Sequence, residues 1–153
     1  MFTIDASVHI NALNPAEEGS PDSQAFLERL HRRPGTVYSP TLLLVEVAAA
    51  VARALDDSQA GQAMARAVRD LPGQHWIPLD DDLAEQAARL AAERRLRGAD
   101  AVYAAVARCY GTTLVTQDCQ QLQRLPGAAP TLTPTEALAQ LLEPGEDEEG
   151  RET

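Results

Sequence analysis

The sequence predicts an α/β fold in three layers, a central parallel sheet of about five short strands with helices on both faces. Short strand-like runs alternate with amphipathic helical runs along the chain, the pattern of a parallel sheet built from crossover units. Proline and glycine punctuate the joints, as Ser20-Pro21, Pro34-Gly35, Ser39-Pro40 and Pro72-Gly73. The chain has 153 residues and no internal repeat, the size of one ordinary domain. Residues 1–142 are expected to form that domain, and residues 143–153 an acidic, disordered tail.

Phe2 to Asp5 is short and partly β-branched, a strand that runs directly into a helix over Ala6 to Leu13. Ser20-Pro21 opens a second helix through Phe26, Leu27 and Leu30, which Pro34-Gly35 closes before a strand at Thr36 to Tyr38. Ser39-Pro40 repeats the start signal ahead of a helix over Leu42 to Leu55. Asp57 or Ser58 caps the next helix, which stops at Pro72-Gly73 and forms a hairpin with its predecessor. His75 to Leu79 reads as a third strand, Asp80 to Arg95 as an amphipathic helix, and Ala99 to Tyr110 as an alanine-rich helix that Gly111 ends. Thr112 to Thr116 is the clearest strand in the chain. Pro130 to Thr133 supplies a fifth, and Pro134 begins a last helix to Leu142.

Composition narrows the chemistry. All 13 basic residues are arginine, so any reaction that needs a lysine Schiff base, a phosphate-loop lysine or a lysine-anchored aspartyl phosphate is excluded. The absence of lysine argues against a phospho-accepting receiver domain, which also places acids at strand ends. The net charge of −10 divides evenly, −5 on residues 143–153 and −5 on the rest, and argues against simple electrostatic adhesion to nucleic acid or an anionic membrane. Cys109 and Cys119 make neither a CxxC pair nor a disulfide framework. With no leader-like start and no long apolar run, a soluble, unprocessed, cytoplasmic protein without membrane contact is expected.

Ligands in open α/β sheets gather at the carboxyl ends of strands. Asp5 closes the first strand and Asp118 lies just beyond the Thr112 to Thr116 strand, so neighbouring strands would bring both to one rim; each alone is equally well read as the cap of a following helix. Glu46 is the only charged residue between Leu42 and Ala52, in a helix apolar on most faces and therefore expected to be largely buried. A carboxylate there needs neutralisation, a metal or a partner such as an arginine. Asp100 opens another mostly apolar helix, where an N-cap is the simpler reading. Should all four converge, they could not stay ionised without a cation. An all-oxygen set selects Mg²⁺ or Mn²⁺ over Zn²⁺ and suits metal-assisted hydrolysis of a phosphodiester.

Ile4-Asp5-Ala6-Ser7-Val8, Glu46 within Pro40 to Ala48, Asp100-Ala101 opening a helix, and Leu114-Val115-Thr116-Gln117-Asp118 together resemble a PIN domain, with the four acids in order and in matching local contexts. The resemblance covers about residues 2–142 and is closest to the VapC-type ribonuclease toxins of toxin–antitoxin pairs. It implies a parallel five-stranded sheet and Mg²⁺- or Mn²⁺-dependent RNA cleavage leaving 5′-phosphate and 3′-hydroxyl ends. It also implies frequent homodimers and a small antitoxin protein as partner. The family's acidic motif falls on Asp5, Glu46, Asp100 and Asp118, with Ser7 and Thr116 as hydroxyls that steady the carboxylates or metal waters. After Asp118 the chain reads Cys119-Gln120-Gln121-Leu122 where relatives commonly place a further acid or a phenylalanine, which favours one metal over two. The alternative is a catalytically inactive PIN-like module that binds RNA or protein.

Phosphate docking falls to arginine. Arg94, Arg95 and Arg97 lie just before Asp100 and are the candidates for holding an RNA backbone, although cations at a helix C-terminus are also favourable without any ligand. Asp80-Asp81-Asp82 reads as a cap with first-turn acids. His9, His31 and His75 are scattered, Cys109 is expected to be buried, Cys119 has no partner base, and Trp76 with five other aromatics offers no stacking platform.

Overall fold

Eight helices and five strands are present among the described residues of the computed structural model, 1–32 and 36–142. In chain order they are β1 (Phe2–Ile4), α1 (Ala6–Leu13), α2 (Ser20–Arg32), β2 (Val37–Pro40), α3 (Leu42–Leu55), α4 (Ser58–Arg69) and β3 (Gln74–Ile77). Then follow α5 (Asp81–Arg94), α6 (Gly98–Tyr110), β4 (Thr113–Val115), α7 (Cys119–Arg124), β5 (Thr131–Leu132) and α8 (Pro134–Leu142). The expected stop at Pro34-Gly35 and the expected acidic tail lie outside the described residues. No helix among the described residues is long and apolar enough to cross a membrane.

The strands form one wholly parallel sheet in the order β3-β2-β1-β4-β5. Successive side chains point to opposite faces, so each strand feeds two cores. Phe2, Ile4, Val37 and Val115 face Val8, Phe26, Leu30, Ala137 and Leu141, from α1, α2 and α8. The Phe2 and Phe26 rings meet edge-on with centroids 5.5 Å apart. Tyr38 and Leu114 face the other way, toward Leu43, Val47, Leu90, Tyr103 and Val106 from α3, α5 and α6. This is the three-layer arrangement the alternation predicts.

Helix starts follow the side chains that satisfy their free N–H groups. Asp57 accepts from Gln59 N and Ala60 N, and Asp80 from Leu83 N, which settles the Asp80 triplet as a cap. Thr133 and Glu136 close a reciprocal capping box at α8. Ser39-Pro40 departs from expectation, because both residues belong to β2 and pair with Trp76 and Ile77. A proline is tolerated there because it ends the strand, and the ladder resumes with Thr41 N donating to Ile77 O at 2.9 Å.

Helix α3 is less buried than its composition predicts. Only Leu43 and Val47 are buried, while Val45 is 63% exposed. The remaining apolar surface is shared with α4, where Gly61 lets the two helices approach closely. A Cβ on Gly61 would stand 2.5 Å from the Ala48 carbonyl oxygen and 2.9 Å from Ala52 Cβ. We therefore expect Gly61→Ala to lower stability by about 1–3 kcal/mol despite alanine's better helix propensity, read as a lower urea midpoint at unchanged slope. Cys109 is also exposed rather than buried, since it lies in the last turn of α6 beyond the sheet.

Candidate functional site

The strand order reverses direction at β1, which has β2 on one side and β4 on the other. A crevice opens at such a switch point beyond the carboxyl ends of the two strands. Asp5 follows β1 at this point, and its N–H donates to Val115 O at 2.9 Å. Its carboxylate is buried and serves as the N-cap of α1, with Oδ2 accepting from Ser7 N at 3.3 Å and from Thr116 Oγ1 at 3.1 Å. Ser7 Oγ in turn accepts from Gln117 N at 3.1 Å, and Thr116 Oγ1 accepts from Asp118 N at 3.0 Å. Ser7 and Thr116 thus tie the two strand ends together around Asp5.

Glu46 reaches the same rim from α3. It is half-buried, and its partner is the buried Tyr103 hydroxyl, which donates to Oε2 at 2.5 Å, rather than an arginine. Asp100 lies in the first turn of α6 and is buried; Arg97, not Asp100, is the N-cap residue. Gln121 of α7, fully buried, donates its Nε2 to Asp100 Oδ1 at 3.1 Å. Asp118 caps α7 through Oδ1, which accepts from Gln120 N at 2.8 Å and Gln121 N at 3.0 Å. Both remaining oxygens belong to Arg97: its Nε donates to Asp100 Oδ2 at 2.8 Å and its Nη2 to Asp118 Oδ2.

The carboxylates feel one another. Burial raises the Asp5 pKa above the ordinary value, and the Asp100 charge adds to this against the hydrogen bonds from Ser7 and Thr116. Burial likewise raises Glu46; the Tyr103 hydrogen bond opposes it, the charges of Asp5 and Asp100 reinforce it, and Arg97 opposes it. The donor chemistry fits a hard divalent cation, since the set is all carboxylate and one positive group leaves it short of neutralisation. As the side chains stand, no three acidic, histidine or cysteine groups among the described residues already surround one point; Arg97 supplies the positive charge there instead.

The PIN domain family model matches residues 2–127. The chain belongs to the PIN domain family. No curated protein sequence matches it. Among solved structures it is similar to FitAcB from Neisseria gonorrhoeae, with a TM-score of 0.66 at 20% identity, covering 88% of this chain and 98% of that one. VapBC2 from Rickettsia felis, bound to a DNA fragment from its promoter, gives a TM-score of 0.63 at 17% identity, covering 86% and 97%. VapC20 from Mycobacterium tuberculosis, a sarcin-ricin loop cleaving toxin, gives 0.63 at 22%, covering 78% and 91%. At these identities the likeness establishes the fold.

Three polar residues of this PIN domain that sequence reasoning did not single out support the rim. Tyr103 and Gln121 hold Glu46 and Asp100; Tyr103 sits in a run that reads as ordinary helix interior, and Gln121 lies in α7, a short helix that the sequence pattern does not predict. Gln117 is held by Asn11 Oδ1 and Ser23 Oγ, at 3.2 and 3.0 Å, between Thr116 and Asp118. Of the candidate phosphate-docking arginines, only Arg97 touches the acids. Arg94 donates to Pro126 O at 3.3 Å, and Arg95 ends α5 in the left-handed conformation with its carbonyl accepting from Arg124.

His9, one turn into α1 of the PIN domain, is buried with Nε2 unpartnered among the described residues. Burial, with a smaller contribution from the His31 charge, lowers its pKa to about 4 from 6.5. The unfolded chain therefore binds a proton below about pH 6.5 that the folded protein refuses until about pH 4. Its contribution to stability is complete above that window and falls by about 3 kcal/mol across it. We expect His9→Leu to flatten this part of the stability–pH curve from urea unfolding; a wild-type and variant difference constant from pH 7 to 4 would refute it.

Proposed function

We propose that this PIN domain is an endoribonuclease that uses Mg²⁺ or Mn²⁺ to hydrolyse RNA phosphodiester bonds, and that it is the toxin of a toxin–antitoxin pair. What supports the proposal is that the charges of Asp5, Glu46 and Asp100 act on one another and that Arg97 spans Asp100 and Asp118. Asp5 Oδ1 and Glu46 Oε1 accept no hydrogen bond among the described residues, and with the Oδ2 atoms of Asp100 and Asp118 they would hold the ion. A divalent cation held there would supply positive charge toward the phosphoryl oxygens and would lower the pKa of a bound water.

The chain's own residues do the rest. Ser7 and Thr116 fix the direction of Asp5, Tyr103 that of Glu46, and Gln121 that of Asp100. The carboxylates act on one another's charge, and as a coupled group they would accept the water's proton. Arg97, and more remotely Arg94 and Arg95, would hold the RNA backbone. A small antitoxin is a proposed protein partner, supported by the toxin–antitoxin complexes among the structural neighbours, and a second copy of the chain is proposed from the family resemblance alone.

One observation favours a second reading, a PIN-like module without catalysis: Arg97 already occupies one oxygen each of Asp100 and Asp118. Incubating the purified protein with RNA in Mg²⁺, in Mn²⁺ and in excess chelator separates the two. The nuclease yields fragments with 5′-phosphate ends only when the ion is present. A binding module leaves the RNA whole under all three conditions.

A further inference from the structure

Arg97 has an unusual position for an arginine. It is the N-cap of α6, where the helix dipole disfavours a cation, and it makes no side-chain cap bond. Its side chain is 65% exposed, whereas those of its partners Asp100 and Asp118 are 10% and 20% exposed. The pairing therefore consists of a solvent-facing arm laid over two recessed acids. Each acid has committed its other oxygen elsewhere, Asp100 Oδ1 to Gln121 and Asp118 Oδ1 to the first turn of α7. Arg97 therefore holds the one remaining oxygen on each. A cation recruiting Asp100 and Asp118 must take the two oxygens that the guanidinium now holds.

We infer that Arg97 is a displaceable counter-cation, which covers Asp100 and Asp118 until a divalent ion takes them and is then free to grip a phosphate of the RNA backbone. The inference rests on the proposed nuclease. Displacement is inexpensive because the arm is exposed and its ion pairs are screened by water on one side. A released guanidinium at the rim presents a planar fork suited to phosphate, whereas the Arg94 guanidinium is spent on Pro126 O in the segment after α7.

Mn²⁺ binding to the full chain, followed by electron paramagnetic resonance of the free ion, tests this without reference to catalysis. Arg97→Gln should tighten Mn²⁺ about tenfold, the loss of two competing ion pairs. Arg97→Lys, which keeps the charge but cannot span both acids, should fall between it and wild type. Arg89→Gln, an equal charge change at a surface pair with Glu85, should leave the affinity unchanged. With Mn²⁺ saturating, Arg97→Gln should raise KM for RNA and leave kcat nearly constant. Unchanged or weaker Mn²⁺ binding in Arg97→Gln, or equal tightening in Arg89→Gln, would overturn the displacement. A tightened ion site with unchanged KM would overturn the phosphate grip alone. If neither wild type nor Arg97→Gln binds Mn²⁺, the nuclease reading falls with it, whereas tight binding without RNA cleavage removes only the nuclease.

Discussion

Asp5→Asn is expected to cut metal-dependent RNA cleavage by about 10²–10³-fold while making the ion-free protein more stable. The two effects have one cause. Asp5 is buried beside Asp100 and Glu46, and all three are ionisable, so its charge is costly unless a cation offsets it. A carboxylate whose folded pKa is raised destabilises the fold above that pKa, and the cost vanishes below its unfolded value of 3.8. Asparagine keeps the shape and can still cap α1 from Ser7 N, so the substitution removes charge without removing the cap. In chelator, Asp5→Asn should therefore melt above wild type, by roughly 2–4 °C for each kcal/mol relieved. Added Mn²⁺ should raise the wild-type melting temperature and leave the variant's nearly still. A variant that melts lower in chelator would show that Asp5 is a structural group and not a strained ligand.

Tyr103→Phe is the second large effect. The Tyr103 ring is fully buried in the core between the sheet and α6, and phenylalanine preserves that packing. The hydroxyl joins two elements, since from α6 it donates to Glu46 Oε2 on α3. Burial, with the charges of Glu46 and Asp5, pushes its own pKa far up, so it is a permanent donor. Removing it leaves a half-buried carboxylate with one partner fewer and should cost about 1–3 kcal/mol of stability. It also removes the hydrogen bond that holds the Glu46 pKa down. The acid limb of the cleavage–pH profile should then move to higher pH, because metal binding needs Glu46 ionised. A stability loss with an unmoved acid limb would place Glu46 outside the reacting group.

The fold was legible because a parallel sheet advertises itself locally. Asp57, Asp80 and Gly111 sit where caps and stops belong, and the alternation of strand and helix dictates crossovers. Asp5 and Asp118 were legible as a pair from the strand-end rule alone. Glu46 was visible for a different reason, as a charge in an apolar run, but the same run hid which faces of α3 are exposed. When nearly every residue is apolar, periodicity carries no phase, and the α3–α4 contact through Gly61 decides. Tyr103 and Gln121 left no signal, since a tyrosine in an alanine-rich helix and a glutamine in a short polar one are ordinary. Arg97 showed half its role. Its i, i+3 spacing to Asp100 is readable, whereas its contact with Asp118, 21 residues on, exists only once β4 lies beside β1.

An anomalous-scattering map of crystals grown with Mn²⁺ tests most directly whether these four acids form one ion site. The expected result is a single strong peak with carboxylate oxygens of Asp5, Asp100 and at least one of Glu46 and Asp118 at about 2.0–2.2 Å, and Arg97 lifted from Asp100 and Asp118. A map with Mn²⁺ bound elsewhere, or with no peak at this rim under saturating ion while Arg97 stays on its two aspartates, would contradict the account.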